Sequence, residues 1–343
     1  MASKPTIQVI GSLNIDFVTL TPRVPGPGET LTATSMTVHA GGKGSNQAVA
    51  CGKAAFTSTT EQDVNVYMIG AVGNGDPYYA SLLKPTLETG GVSTKYVEEI
   101  EGVQTGTATI IVDTGSNGQN RILFVPGANQ EVTDVQKILD IETTEGVPDV
   151  VVMQGEIPRS TVLGLLKAFN STSQKTAVVF NPAPVFPDGL PLESLKGMAV
   201  LVVNETECLL LFKVIEELKG TSSVPREEDL TEYHLDRLTK VIHDRTNISI
   251  VVVTLGARGV YFSASEGSTR GLVPAEKVEK VVDTTAAGDT FVGYLATALA
   301  RHLSTKNKVE DFDIQKAVKR ANQASAKCVQ RSGAMESIPF GYE

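Results

Sequence analysis

Short runs of β-branched and other apolar residues recur along the chain, and glycine, asparagine or proline ends each of them. The runs are continuous rather than alternating, as is typical of parallel strands buried on both faces of a sheet. They predict strands at 7–10, 64–69, 150–153, 177–180, 200–203 and 249–253. Helical periodicity between them predicts helices at 44–54, 78–88, 132–141, 160–170, 205–218 and 229–247. This alternation predicts a doubly wound α/β fold, with a mostly parallel sheet flanked by helices.

Two segments interrupt the alternation of strands and helices. Residues 15–38 and 98–126 carry threonine, valine and isoleucine alternating with polar residues, and glycine and proline turns separate them. Such alternation predicts antiparallel strands that bury one face. We therefore expect a small antiparallel sheet projecting from a large α/β domain, which comprises residues 1–14, 39–97 and 127–343.

Composition and charge exclude several classes of function. Of the 343 residues, 41% are apolar and 20% are charged, which is typical of a globular protein rather than a disordered or fibrous one. The 30 basic and 39 acidic residues give a net charge of −9, and no lysine and arginine run offers a surface for nucleic acid. No apolar run approaches the ~20 residues that span a bilayer. We therefore expect neither a nucleic acid nor a membrane as a partner.

The cysteines and the first residues of the chain indicate its compartment. Cys51, Cys208 and Cys328 are odd in number and far apart, so we expect neither a disulfide framework nor a structural zinc site. The polar segment before the first predicted strand is too short for the apolar region of a secretion signal. The expected location is the cytoplasm, with the nucleus as a further location.

Residues 281–291 are the most informative for chemistry, because a predicted strand leads through small residues into a helical run. The backbone amides of Ala286, Ala287 and Gly288 would lie at the positive end of the helix dipole and form an anion site. Asp289 follows directly, where a carboxylate can accept the proton of an alcohol that attacks a phosphoryl group. The alternative for Asp289 is an acidic residue that only complements the dipole.

Two other turns follow predicted strands and carry polar groups. Residues 41–44 open a helix but do not form a phosphate-binding Walker loop, because glycine follows Lys43. They are either an ordinary glycine-rich turn or a loop in which Lys43 and Asn46 donate to a small polar ligand. Asn14 and Asp16 face the same way in an extended segment, at the strand ends where open α/β sheets bind ligands. An ordinary Asn/Asp turn is the alternative there.

Two later turns also have two interpretations. Asn204 and Glu207 follow a buried run, and a helix-capping box alone would explain their spacing. Residues 254–259 contain two glycines that suit either a tight turn into a further strand or the packing of a nucleotide base on bare backbone.

Taken together, these segments resemble the PfkB family of carbohydrate and nucleoside kinases from residue 9 to residue 339. Each motif is modest, but their number, order and spacing are specific, and their form is that of the ribose-phosphorylating members. The matching motifs are G-S-L-N-I-D at 11–16, P-G-E-T at 27–30, H-A-G-G-K-G-S-N-Q-A at 39–48, T-G-T-A at 105–108, V-P-G-A-N at 125–129, G-E-I-P at 155–158, N-P-A-P at 181–184, N-E-T-E at 204–207, T-L-G-A-R-G-V at 254–260 and D-T-T-A-A-G-D-T-F at 283–291.

The resemblance implies ATP-dependent phosphorylation of D-ribose at the 5-hydroxyl, which gives ribose 5-phosphate and ADP. It implies that Asp289 is the catalytic base and that the amides of Ala286, Ala287 and Gly288 form the anion hole. Besides Asp289, the residues that would bind ribose are Asn14, Asp16, Gly42, Lys43, Asn46 and Glu156. Those that would line the ATP site are Asn204, Thr254, Gly256, Gly259 and Asn322.

The resemblance also implies two cations. Glu207 would help to hold Mg²⁺, through water. An activating monovalent cation, usually K⁺, would lie behind the anion hole. Its ligands, several of them carbonyl oxygens, would come from Asp283, Thr285, Cys328, Arg331, Gly333 and Ser337.

In this family the small sheet acts as a lid over the sugar and often pairs with the lid of a second subunit, which implies a homodimer. Residues 55–63 and 213–247 are longer than the family pattern needs, which leaves oligomeric or regulatory contacts open. Two alternative functions remain. One is a sibling sugar or nucleoside kinase, because a few pocket side chains set the choice of substrate. The other is a non-catalytic sugar-sensing protein, and the intact Asp289 and its Ala-Ala-Gly turn count against it.

Overall fold

Two β-sheets organise the chain in the computed structural model, which describes residues 4–116, 119–171, 176–265, 269–305 and 308–343. The strands are β1 Thr6–Ile10, β2 Asn14–Thr21, β3 Ser35–Gly41, β4 Asn65–Gly73, β5 Val92–Ile100, β6 Gly106–Asp113, β7 Gln119–Val125, β8 Val150–Met153, β9 Ala177–Phe180, β10 Val200–Asn204, β11 Ile250–Thr254, β12 Val260–Ala264 and β13 Arg270–Val273. The α-helices are α1 Lys43–Ala55, α2 Lys84–Thr89, α3 Val135–Leu139, α4 Glu142–Glu145, α5 Arg159–Phe169, α6 Glu205–Val214, α7 Glu232–Thr246, α8 Ala287–Leu303 and α9 Ile314–Cys328.

The larger sheet has the strand order β13-β12-β11-β10-β9-β8-β1-β4-β5. All neighbours from β11 to β5 pair in parallel, whereas β12 and β13 add antiparallel strands at one edge. One apolar core packs α1, α8 and α9 against one face, and a second packs α3, α5, α6 and α7 against the other. The central strands β1, β8 and β9 are buried along their whole length. The predicted doubly wound sheet is confirmed.

The smaller sheet has the order β3-β2-β6-β7 and contains the two segments that interrupt the α/β alternation. Its outer pairings are antiparallel, as predicted, but β2 and β6 pair in parallel. Alternation within a strand does not specify the direction of its neighbour, so the sequence could not predict this pairing. The predicted segment boundaries need correction, because Asn14 and residues 39–41 lie in the smaller sheet and residues 98–100 lie in β5. Residues 1–3 and 117–118 of these segments lie outside the described residues.

The six strands predicted for the larger sheet each begin within one residue of an observed strand. The strand predicted just before Ala286 is wrong, because residues 281–284 have no regular secondary structure. The helices predicted at 78–88, 132–141 and 205–218 also differ from the structure, and the last of them ends at Val214 because Ile215 is extended. The helix predicted at 78–88 begins as a π-helix over Tyr79–Leu83 and becomes α2 only at Lys84. Pro85 lies at the start of α2 and has no N–H to continue a regular α-helical ladder. The helix predicted at 132–141 is shorter, because Asp134 caps α3 through a 3.0 Å bond from Lys137 N. Helix α9 was not predicted.

One of the two long connections and the three cysteines can be placed in the structure. Residues 55–63, which exceed the family pattern, are tied to α8 by a 2.7 Å salt bridge between Asp63 and Arg301. All three cysteines are buried free thiols. Among the helices of the described segments, none is long and apolar enough to cross a membrane.

Candidate active site

A buried carboxylate, Asp289, lies where the first turns of α1 and α8 meet. It is 7% exposed, and both of its oxygens accept hydrogen bonds from α1. Asn46 Nδ2 donates to Oδ2 at 3.0 Å, and Gln47 Nε2 donates to Oδ1 at 2.9 Å. Two amide donors therefore hold the carboxylate in one orientation.

The turn before Asp289 exposes backbone amides at the start of α8. Ala286 has φ 60° and ψ 7°, a left-handed conformation that a residue with a side chain rarely adopts. The first helical hydrogen bond runs from Thr290 N to Ala286 O at 2.8 Å, and Ala287 N makes a longer bond to Thr284 O at 3.3 Å, so the Gly288 amide precedes the helical ladder. A Cβ added at Gly288 would meet no described protein atom within 4 Å. The predicted anion site therefore faces open space.

The glycine-rich loop before α1 packs directly on the turn between β1 and β2. A Cβ at Gly41 would lie 2.1 Å from the Asp16 carboxylate, and Gly42 has φ +94° with its Cβ position 2.9 Å from Asn14 N. Only glycine allows both this approach and this conformation. Lys43 N donates to Glu156 Oε2 at 2.9 Å, which fixes the loop to the segment after β8. The predicted sugar-binding residues are therefore brought together.

Carboxylates outnumber cations in this cluster. Burial raises the pKa of Asp16 to about 7, and the negative charges of Glu156 and Asp289 add to the rise. Burial also raises the pKa of Glu156. Burial alone would lower the pKa of the Lys43 ammonium, but the charges of Asp289 and Glu156 outweigh it and raise that pKa. Such a cluster suits a neutral ligand with several hydroxyl donors.

Two asparagines complete the polar wall. Asn46 Oδ1 is buried and has no hydrogen-bond partner in the part of the chain that the structure describes, so it can accept from a ligand hydroxyl. Asn129, which the sequence analysis did not single out, donates to Asn14 Oδ1 at 2.8 Å and accepts from Leu13 N at 2.9 Å. It orients Asn14, and its position at the end of the V-P-G-A-N motif was the available signal.

A cavity of about 370 Å³ opens between the β11–β12 turn and helices α8 and α9. Four of the predicted ATP-binding residues line it: Thr254, Gly256, Gly259 and Asn322. Its walls include apolar side chains such as Phe291 and Val329, which suit a flat base. The cavity extends to Ala287 and Gly288, so it connects with the anion site.

The fifth predicted ATP-binding residue, Asn204, caps α6. Its Oδ1 accepts from Glu207 N at 2.7 Å, and Glu207 Oε2 accepts from Asn204 N at 2.9 Å. The capping box considered from the sequence is therefore present. Burial raises the pKa of Glu207. No group of three or more His, Cys, Asp or Glu side chains among the described residues could hold a metal ion. Glu207 could therefore hold a divalent cation only together with water and phosphate oxygens.

The predicted monovalent-cation residues also lie together, behind the anion turn. The Asp283 carboxylate accepts from Thr285 N at 2.9 Å and from Gly333 N at 3.2 Å. Cys328 Sγ lies 3.6 Å from Thr285 O and 3.0 Å from Ser337 Oγ. Arg331 N donates to the Cys328 carbonyl at 3.0 Å. Each of these carboxylate and carbonyl oxygens accepts only one of the hydrogen bonds named here and keeps a lone pair for a cation, and carbonyl oxygens suit K⁺.

The fold and this site define the class of the protein, an α/β phosphotransferase. A model of the pfkB family of carbohydrate kinases matches residues 4–340. The ribokinase of Schizosaccharomyces pombe is 35% identical over 97% of the chain and 94% of its own length. The ribokinase of Bacillus subtilis is 33% identical over 97% of this chain and 96% of its own length. The structure of Arabidopsis thaliana ribokinase complexed with ribose and ATP is similar with a TM-score of 0.77 and 27% identity, covering 99% of this chain and 96% of that one. The chain belongs to the pfkB family of carbohydrate kinases.

Proposed function

We propose that the protein transfers the γ-phosphate of ATP to the 5-hydroxyl of D-ribose and releases ribose 5-phosphate and ADP. The position of Asp289 carries the proposal. Its carboxylate lies between the cluster of Asn14, Asp16 and Glu156 and the turn that leads into the nucleotide cavity. The similar ribokinases, which match nearly the whole chain, support ribose as the acceptor.

In this proposal the chain performs the transfer mainly by positioning. Asp289 accepts the proton of the 5-hydroxyl as that oxygen forms its bond to the γ-phosphorus. The bond from the γ-phosphorus to the leaving ADP oxygen breaks, and the amides of Ala287 and Gly288 stabilise the charge on the transferring group. Asp16 and Glu156 accept hydrogen bonds from the other hydroxyls and so orient the sugar for in-line attack.

Two cations belong to the proposal. Mg²⁺ would neutralise charge on the ATP phosphates, and Glu207 would contact it through water. K⁺ would take the carbonyl oxygens around Thr285 and Cys328 and brace the anion turn from behind. The support is the arrangement of these carbonyls next to Ala286, whose strained conformation needs a fixed surrounding.

The smaller sheet is proposed to close over the sugar as a lid and to pair with the lid of a second copy. Strand β7 is exposed along its whole length, and Ile122 and Leu123 are 56% and 66% exposed. Apolar side chains exposed on an edge strand favour association with another chain. A cytoplasmic location is proposed from the three free thiols.

The substrate proposal is tested by an ATP-coupled assay of purified protein on D-ribose, 2-deoxyribose, fructose and adenosine, in buffers with and without K⁺. We expect a strong preference for D-ribose and a faster rate with K⁺. Faster turnover of fructose or adenosine would instead assign a sibling sugar or nucleoside kinase. Ribose binding without turnover of any acceptor would assign a sugar-sensing protein.

Substitution of Gly288 separates nucleotide binding from folding. The methyl group of Gly288→Ala would point into the open space of the anion site, where the phosphates are proposed to bind. We expect kcat/KM for ATP to fall about 10-fold or more, since the methyl group would displace the phosphate from its aligned position. The melting temperature should stay equal or rise slightly, because alanine is the better helix former by about 1 kcal/mol. An unchanged kcat/KM would place the phosphates elsewhere.

A further inference from the structure

Three glutamine side chains, Gln8, Gln47 and Gln154, are fully buried at 0% exposure. Burial of an amide costs free energy unless hydrogen bonds compensate for the lost water. Gln47 and Gln154 bond to each other and lead to Asp289. The Gln8 amide, in the middle of β1, has no hydrogen-bond partner among the residues described. Gln8 therefore shares the burial of the other two glutamines but not their connection to the proposed catalytic base.

The Gln47 amide is the centre of a network of side chains from distant parts of the sequence. Its Nε2 donates to Asp289 Oδ1 at 2.9 Å and to Asn181 Oδ1 at 3.0 Å. Its Oε1 accepts from Gln154 Nε2 at 2.8 Å. Asn181 Nδ2 in turn donates to the carbonyl of Val202 in β10 at 2.9 Å. Both N–H groups of Gln47 are therefore used.

The donors and acceptors of this hydrogen-bond network can be assigned in only one consistent way. The Val202 carbonyl can only accept, so the NH₂ group of Asn181 must face it and the Asn181 oxygen must face Gln47. The NH₂ group of Gln47 must then point at both Asn181 and Asp289. A flipped Gln47 amide would place its oxygen against the Asn181 oxygen and the carboxylate, and its NH₂ group against that of Gln154. The backbone of β10 thus determines which way Gln47 points.

We propose that Gln47 is a positioning residue that fixes the Asp289 carboxylate before the substrates bind. It holds Oδ1 while Asn46 holds Oδ2, but the two amides differ. Asn46 keeps a free buried oxygen for the sugar, whereas both N–H groups of Gln47 are committed within the protein. A general base acts only when its lone pair is in reach of the proton, so an orientation fixed in advance raises kcat. This inference rests on the proposed function, in which Asp289 is the base.

The test compares Gln47→Met, Gln154→Met and Gln8→Met, because methionine keeps the length of the side chain and removes the amide. For Gln47→Met we expect kcat to fall about 30-fold, with KM for ribose and ATP changed less than about threefold. Gln154 is one hydrogen bond further from Asp289 than Gln47 is, so for Gln154→Met we expect kcat to fall about fivefold. Gln8→Met controls for the loss of a buried glutamine, and we expect a change below about twofold. In an Asp289→Asn background, Gln47→Met should cause no further loss, since no carboxylate remains to be oriented.

Thermal unfolding and ADP binding of each variant show whether it is folded. An unchanged kcat in Gln47→Met, an equal fall in all three variants, or a loss that appears only in KM would overturn the inference. If Gln47→Met does not fold, Gln154→Met decides, and wild-type kcat there also overturns it. A wild-type rate in Asp289→Asn would instead contradict the proposed function, which keeps the two failures distinct.

Discussion

Asp289→Asn is expected to lower kcat about 10³-fold, while KM for ribose changes less than about threefold, because a general base contributes about 10²–10⁴-fold. The amide keeps the shape of the carboxylate but cannot accept the proton of the sugar. It also places an NH₂ group against one of its donors, Asn46 or Gln47, so some stability should be lost. Steady-state kinetics with saturating ribose, together with thermal unfolding, measure both effects.

Asp313 provides the matched control for this variant. It caps α9, where its Oδ1 accepts from Lys316 N at 3.0 Å, and it represents the alternative role of an acidic residue at a helix start. We expect Asp313→Asn to cost at most a few tenths of a kcal/mol and to leave kcat unchanged, because asparagine also caps helices well. If Asp289→Asn behaved like Asp313→Asn, Asp289 would only complement a helix dipole.

The larger sheet was predictable because parallel strands buried on both faces require continuous apolar runs. Those runs are local, so the first and last residues of β8 and β9 could be predicted from the sequence. The parallel pairing of β2 with β6 was not predictable, because it joins residues about ninety positions apart through backbone bonds that leave no side-chain pattern. The π-helix over Tyr79–Leu83 likewise depends on one residue, Pro85, within an otherwise helical run.

Prediction of the site was limited in the same way, to features that are local in the sequence. The turns before α8 and α1, which carry Asp289 and Lys43, combine glycine, small residues and a charged group, so the sequence marks them locally. The partners of Asp289 are not local in the sequence. Gln47 is 242 positions away from Asp289, and Gln47 in turn contacts Asn181, which is 134 positions away from Gln47. Gln47 and Asn181 each lie in a matched motif, but no local pattern shows that the two side chains meet. The direction of these hydrogen bonds and the distances between their atoms are known only from the structure.

Asp16→Asn is expected to lower kcat/KM for ribose about 100-fold, because the variant loses a charged acceptor for the sugar hydroxyls. One hydrogen bond to a charged group is worth about 1.5–3 kcal/mol, which corresponds to about 10–150-fold. The Asp16 carboxylate lies against Gly41, where a Cβ would come within 2.1 Å of it, so the backbone there fixes the position of the carboxylate. Asp113→Asn, in the same small sheet and 5% exposed, is the control and should keep wild-type kcat/KM.

The same substitution should stabilise the free protein at alkaline pH. Burial and neighbouring carboxylates raise the pKa of Asp16 to about 7, so the folded state binds a proton more tightly than the unfolded chain does. The wild type is therefore fully stabilised below about pH 4 and loses this contribution as the pH rises through 7. An asparagine does not titrate, so Asp16→Asn should exceed the wild type in unfolding free energy at pH 8 by roughly 2 kcal/mol, allowing for partial solvent screening.

Denaturant unfolding at pH 5 and pH 8 measures the difference, and an equal difference at both pH values would contradict the electrostatic strain assigned to Asp16. Function and stability thus oppose each other at this residue, as expected where buried charge is kept for a ligand rather than for the fold.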